Sequence, residues 1–301
     1  MDINLENLPQ IPSLDLLAKQ LVEGFITGMH KSPFHGFSVE FAEHRLYNPG
    51  ESTRHIDWKV FAKTDRLYTK RYDEETNLRA YILLDNSSSM YYPVDNNGKI
   101  RFSILAAASL AYLLQRQRDA VGLISFSDTV DVFTEAKSTR THLQNIFIHL
   151  QKLLTQNQQH KSTDISQCLH IVAEKIHKRS LVIIFSDLMT KPEQLDDLFK
   201  SIQHIKHRKH EVLFFQVNEP ITELSFELED RPYIVEDLES GNKVKLNPTE
   251  IRDSYHKKIE EYYNQISMKC HQYKIDLTRV NINEDIQKVL AEFLIKRNKM
   301  N

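Results

Sequence analysis

Apolar positions recur along the chain in two periods, and the switches between them outline the elements. Leu14, Leu17, Leu21, Phe25 and Ile26 follow helical spacing near the start. Residues 80–220 then alternate between short apolar runs and helical stripes. Ala80–Leu84 is a short apolar run that ends at Asp85, Ala120–Phe126 is a second, and Thr129–Phe133 is a short third. Leu181–Phe185 is continuously apolar and leads to Asp187, and Val212–Val217 has the same character. Strands buried on both faces read this way, so these runs predict central strands of a parallel sheet. Between them, Ile104–Leu114 is apolar on nearly every face and predicts a buried helix. Leu143, Ile146, Phe147 and Leu150 form a helical stripe behind Thr141-x-x-Gln144, which has the form of a capping box. Ile165, Cys168, Leu169, Val172 and Ile176 form the next stripe. Leu195, Leu198, Phe199, Ile202 and Ile205 form another, behind a start signal at Thr190-x-Pro192-Glu193. Short strand-like pieces flank Ser240-Gly241, Asn247-Pro248 opens a long helix to about Tyr273, a strand follows near 275–280, and a last helix starts near Glu284.

The alternation predicts an α/β fold of the Rossmann-like, doubly wound kind, with a mostly parallel sheet covered by helices on both faces. Residues 1–79 are read as an N-terminal helix and a polar segment packed on that sheet, and residues 80–301 as the α/β domain, with a small β insertion at about 221–247.

Composition narrows the function classes. The 301 residues carry 39 Lys and Arg against 41 Asp and Glu, a formal net charge of -2. Such a balance does not point to nucleic acid or to an anionic membrane surface. No run of 18 or more apolar residues is present and the N-terminus lacks a signal-peptide pattern, so a cytoplasmic location without membrane insertion is expected. The two cysteines, Cys168 and Cys270, sit in helical patterns and are expected to be buried, reduced thiols.

Open α/β sheets bind ligands beyond the carboxyl ends of their strands. Two strands here end in aspartate, and the first is followed by Asn86-Ser87-Ser88-Ser89. Two carboxylates and several hydroxyls make an oxygen-only pocket, suited to Mg²⁺ (or Mn²⁺) and unsuited to zinc. Asp85-x-Ser87-x-Ser89, then Thr163, then Asp187 resemble the metal-ion-dependent adhesion site of von Willebrand factor A domains. That resemblance implies a von Willebrand factor A-like domain whose metal ligands are Asp85, Ser87, Ser89, Thr163 and Asp187.

A second resemblance lies upstream. Glu40-Phe41-x-Glu43-x-Arg45-x-Tyr47-x-Pro49-Gly50-Glu51-x-x-Arg54-x-Ile56-Asp57-Trp58-Lys59 and Asp65-x-Leu67-x-x-Lys70-x-Tyr72-x-Glu74-Glu75 resemble a bacterial family catalogued as domain of unknown function 58. Lys63 stands where that family usually has Arg, and Glu51 where it usually has Asp. The tail from Glu236 through Pro248 to Phe293-Leu294 is similar to that family's ending. The resemblance implies an adaptor or co-chaperone for a MoxR-type AAA+ ATPase; separately, an open coordination position on the metal would suit a client protein that offers a carboxylate.

The charged residues Arg45, Arg54, Asp57, Lys59, Asp65 and Arg66 are read first as an internal salt-bridge network, with a partner surface as the other reading, and Trp58 as core. The histidines from His204 to His210 are read as part of a solvated basic face. The alternative function is a Mg²⁺-dependent phosphoryl hydrolase with Asp85 as nucleophile. Against it, Ser87 stands where a second acid is expected, and neither GxGxxG nor GxxxxGK[ST] occurs. The sequence therefore favours a binding protein over an enzyme.

Overall fold

The computed structural model describes residues 13–31, 44–46, 58–70, 78–94, 98–155, 165–190, 192–238 and 241–300. Contacts divide the chain into one unit of residues 1–25 with 78–301 and a second of residues 26–77.

Runs of Val, Ile, Leu and Phe that cannot face water on either side are stable only between two layers of helices. That is where the larger unit places them. Its strands are β3 (Arg79–Asp85), β4 (Ala120–Phe126), β5 (Val130–Phe133), β6 (Leu181–Ser186), β7 (Glu211–Asn218) and β10 (Asp276–Asn281). They form one six-stranded sheet in the order β10-β7-β6-β3-β4-β5. All neighbours run parallel except the edge strand β5, which pairs antiparallel with β4. Numbered by appearance within the sheet, this is the doubly wound order 3-2-1-4-5-6. The expected fold class is therefore the one observed.

The helices are α3 (Gly98–Arg116), α4 (Arg140–Thr155), α5 (Ile165–Lys175), α6 (Leu195–His207), α7 (Pro248–Gln272) and α8 (Gln287–Met300). Buried side chains of α5, α6 and α7 cover one sheet face, joined by Tyr81, Leu83, Val182, Ile184, Val212 and Phe214. Successive strand residues point to opposite faces. The other face, with Ile82, Leu84, Ile183 and Phe215, accordingly carries α3, with α4 and α8 packed beside it. The all-round burial of α3 matches its all-round apolar sequence.

Gly122 in β4 is required by a close approach. A Cβ there would lie 2.7 Å from the Thr134 carbonyl oxygen and 2.8 Å from the Tyr81 ring. Cys168 and Cys270 are buried and outside any disulfide, as expected.

Several local details differ from the sequence reading. The helix α4 begins one residue before Thr141, and its cap is the Thr139 hydroxyl, which accepts from the His142 N–H at 3.3 Å. In α1 (Leu14–Lys31) the buried stripe is Leu14, Leu17, Ala18, Val22 and Phe25, with Leu21 and Ile26 only half-buried. His210 belongs to the interior: it is 1 % exposed and its Nδ1 accepts from the Ser180 N–H, so it is no part of a solvated face. The expected insertion contains a two-stranded antiparallel ribbon, β8 (Tyr233–Glu236) with β9 (Lys243–Leu246).

In the smaller unit, β1 (His44–Leu46) pairs antiparallel with β2 (Tyr68–Lys70), and α2 spans Trp58–Thr64. Asp65 and Arg66 are exposed. Arg54 and Asp57, and the side chains of Arg45, Trp58 and Lys59, lie outside the described residues. No helix among the described residues is long and apolar enough to cross a membrane.

Candidate metal centre

In a doubly wound sheet the crevice opens where the strand order reverses, because the connections on either side leave in opposite directions. Here that point lies between β3 and β6. These two neighbours are the strands that lead to Asp85 and Asp187, and their register pairs Leu84 with Phe185, so the aspartates lie at the same end of the sheet.

Both carboxylates are almost wholly buried, each residue being 2 % exposed. Asp85 Oδ1 accepts the Ser87 N–H at 3.0 Å, which folds the loop back on the strand end. The Ser87 and Ser89 hydroxyls lie 3.1 Å apart. Ser186 donates its hydroxyl to Asp85 Oδ2 at 2.6 Å and accepts the Leu188 N–H, tying the ends of β3 and β6 together. Asp187 Oδ1 accepts the Met189 N–H at 3.1 Å. Asp85, Ser87, Ser89 and Asp187 thus gather at one edge. Thr163 and Asp164 lie outside the described residues.

The electrostatics of the pair are strained. Burial, then repulsion from Asp187, pushes the Asp85 carboxyl up to about 6, against the pull of the hydrogen bonds from Ser186 and Ser87. Asp187 has a cationic partner that the sequence reading missed. Lys99 Nζ, in the first turn of α3, donates to Asp187 Oδ2 at 2.8 Å and to Glu223 Oε1 at 2.5 Å. Its side chain is fully buried. Burial alone would lower the lysine's pKa, but the Asp187 and Glu223 carboxylates outweigh it and hold the ammonium charged. Glu223 is raised by its own burial and by Asp187, against the pull of Lys99.

Glu223 stands on a short turn, Pro220–Leu224, directly after β7. Glu219 organises that turn. Its carboxylate accepts the N–H groups of Ile221, Thr222 and Glu223 and the Thr222 hydroxyl. Burial would raise the Glu219 carboxyl, but these hydrogen bonds prevail and lower it. The Tyr255 hydroxyl donates to the Glu223 carbonyl at 2.6 Å. No local signal marked Lys99, because the apolar run that reveals its helix in the sequence starts only at Ile104, whereas α3 starts at Gly98. Glu223 gave none, because its role depends on where β7 ends.

A divalent cation fits this donor set on three grounds. The side chains are hard oxygens. The Ser87 and Ser89 hydroxyls, 3.1 Å apart in the loop that Asp85 folds back, offer further oxygen donors beside the two aspartates. Lastly, Asp187 and Glu223 share one ammonium while Asp85 lies close enough to Asp187 to be repelled by it, which leaves an excess of negative charge when all three carboxyls are ionised.

Comparison with known proteins adds the following. A family model described as "Protein of unknown function DUF58" matches residues 43–264. An uncharacterized protein of Mycobacterium tuberculosis, Rv1480, is 24 % identical over 246 residues, which is 81 % of this chain and 74 % of that one. An uncharacterized protein of Mycobacterium bovis, Mb1516, matches to the same extent. Among solved structures, that of the conserved hypothetical protein BatB from Bacteroides thetaiotaomicron is 16 % identical with a TM-score of 0.45, covering 74 % of this chain and 99 % of that one.

Proposed function

The chain belongs to the DUF58 family of proteins of unknown function, and from that premise we infer that it is a metal-dependent protein-binding adaptor. One observation carries this reading: two strand-end aspartates, Asp85 and Asp187, buried together at the switch point of the sheet beside the paired hydroxyls of Ser87 and Ser89. Asp85, Ser87, Ser89 and Asp187, with Thr163, would hold Mg²⁺ or Mn²⁺. When bound, such an ion supplies an electrophilic coordination position for an oxygen ligand. The chain's own residues do the remaining work. Ser186 and the Ser87 N–H fix the orientation of the Asp85 carboxylate. Lys99 fixes that of Asp187. The partner group that fits is an Asp or Glu side chain.

The reaction class is binding, not turnover. Both Asp85 oxygens are held by hydrogen bonds to Ser87 and Ser186, an arrangement that orients a ligand. The partner we propose is a MoxR-type AAA+ ATPase, with a carboxylate-bearing client as the second possibility; the support for it is the family resemblance of the N-terminal motif.

The test is an affinity pull-down from the source cell with Mg²⁺ and with EDTA, comparing wild type with Asp85→Ala after thermal melts show that both are folded. Capture of the ATPase by wild type in Mg²⁺ alone is the expected result. Equal capture in all four conditions would remove the metal site as the docking point.

A further inference from the structure

A fully buried lysine is costly unless its charge is matched. Lys99 is matched twice, by carboxylates from two separate elements: Asp187 after β6, and Glu223 on the turn after β7. The cage around it is built from several directions. Glu219 pins the Glu223 turn, Tyr255 holds the Glu223 carbonyl, and the Tyr92 hydroxyl lies 2.6 Å from that of Thr222. The Lys99 ammonium also lies 5.9 Å from the centre of the Tyr92 ring. So much structure around one cation, in direct contact with a candidate metal ligand, has a consequence for the ion that the site takes.

The Asp85, Asp187 and Glu223 carboxylates and one ammonium sum to two negative charges in excess, the Glu219 carboxylate being taken up by the N–H groups and hydroxyl of its own turn. A divalent cation brings that cluster to neutrality. Without Lys99 the excess would be three, the ion would be held harder, and the loaded site would stay negative. An incoming carboxylate would then meet repulsion. We propose that Lys99 is a specificity-determining residue of this site: its ammonium weakens the hold on the metal and leaves the loaded site neutral, and so open to an acidic partner. The proposal rests on the metal-binding reading above.

A charge series tests it. Mg²⁺ alone is titrated by calorimetry into the full chain as wild type, Glu223→Gln, Lys99→Met and the double variant Lys99→Met/Glu223→Gln. Their charge excesses are two, one, three and two. Lys99→Met should bind Mg²⁺ about tenfold or more tighter than wild type, and Glu223→Gln about tenfold or more weaker, because buried charges at short range are little screened. The double variant restores the wild-type charge and should restore its affinity. Glu223→Gln keeps the Lys99–Asp187 pair, so the comparison survives if Lys99→Met fails to fold. As a second readout, acetate added to the Mg²⁺-saturated protein should raise the melting temperature of wild type and leave that of Lys99→Met unchanged. Affinities equal within about threefold across the series would make Lys99 and Glu223 a packing pair and overturn the proposal, with the metal site left standing. An absence of Mg²⁺ binding in every form, wild type included, would overturn the metal site and this proposal together.

Discussion

Replacing Asp85 by Asn should make the metal-free protein more stable at neutral pH, although it removes a residue from the candidate site. The folded-state pKa of Asp85 is about 6, against an ordinary value of 3.8. Between those two values the folded chain keeps a proton that the unfolded chain has released. Stability therefore falls as pH rises from about 4 to 6 and levels off above. At pH 7 the buried charge costs about 3 kcal/mol relative to the unfolded state, and at pH 4.5 about 1 kcal/mol. Asparagine carries no charge and keeps the shape. Its Oδ1 still accepts the Ser87 N–H, and its amide can donate to the Ser186 hydroxyl once that hydroxyl turns. Allowing for that rearrangement, Asp85→Asn should gain roughly 1–3 kcal/mol at pH 7, or about 2–8 °C in Tm. The assay is thermal melting in EDTA at pH 7 and pH 4.5, with a third series at pH 7 in Mg²⁺. The gap between variant and wild type should shrink at pH 4.5. Saturating Mg²⁺ should stabilise wild type, by about 2.7 kcal/mol at one hundred times Kd, and leave the variant unmoved. A variant less stable than wild type in EDTA at pH 7, or a gap that does not depend on pH, would refute the reasoning.

Other substitutions probe the surroundings of the site. Ser186→Ala removes the hydroxyl that donates to Asp85 Oδ2, so the Asp85 carboxyl should titrate above about 6; carboxyl-carbon NMR across a pH series reads this, and an unchanged midpoint counts against the tie between β3 and β6. Leu83→Ala empties a fully buried position and should cost about 2–5 kcal/mol by denaturant unfolding, with the folded fraction binding Mg²⁺ as wild type does. Gly122→Ala forces a methyl group to 2.7 Å from the Thr134 carbonyl oxygen and should cost about 1–3 kcal/mol in the same assay; a neutral result would mean that β4 and the chain at Thr134 can separate freely.

What the sequence by itself determined is what short-range periodicity encodes. A strand buried on both faces has no polar position to spare, so its apolar run is visible and so is the residue that ends it. Asp85 and Asp187 stood out for that reason, and the fold class followed from the alternation of such runs with helical stripes. The two hydroxyls after Asp85 were legible because a loop beyond a strand end is local. Membership of the DUF58 family was legible too, because its long polar motif is a linear string. Where the reading was local but loose, the structure shifted it slightly, as at Thr139 in place of Thr141. His210 shows the limit of local context: lysines and histidines around it suggested a solvated face, yet the return of the chain into β7 buries it against Ser180.

Tertiary structure alone decided which strand lies beside which. Periodicity marks a strand but not its neighbour, and only the placing of β6 next to β3 brings Asp187 up to Asp85. The same holds for Lys99, whose partners lie 88 and 124 residues away along the chain. An ion pair of that span leaves no pattern in a window of a dozen residues. It exists because α3 starts, β6 ends and β7 ends at one edge of the sheet, where the buried Lys99 ammonium meets the Asp187 and Glu223 carboxylates and loss of either kind of partner leaves charge unmatched.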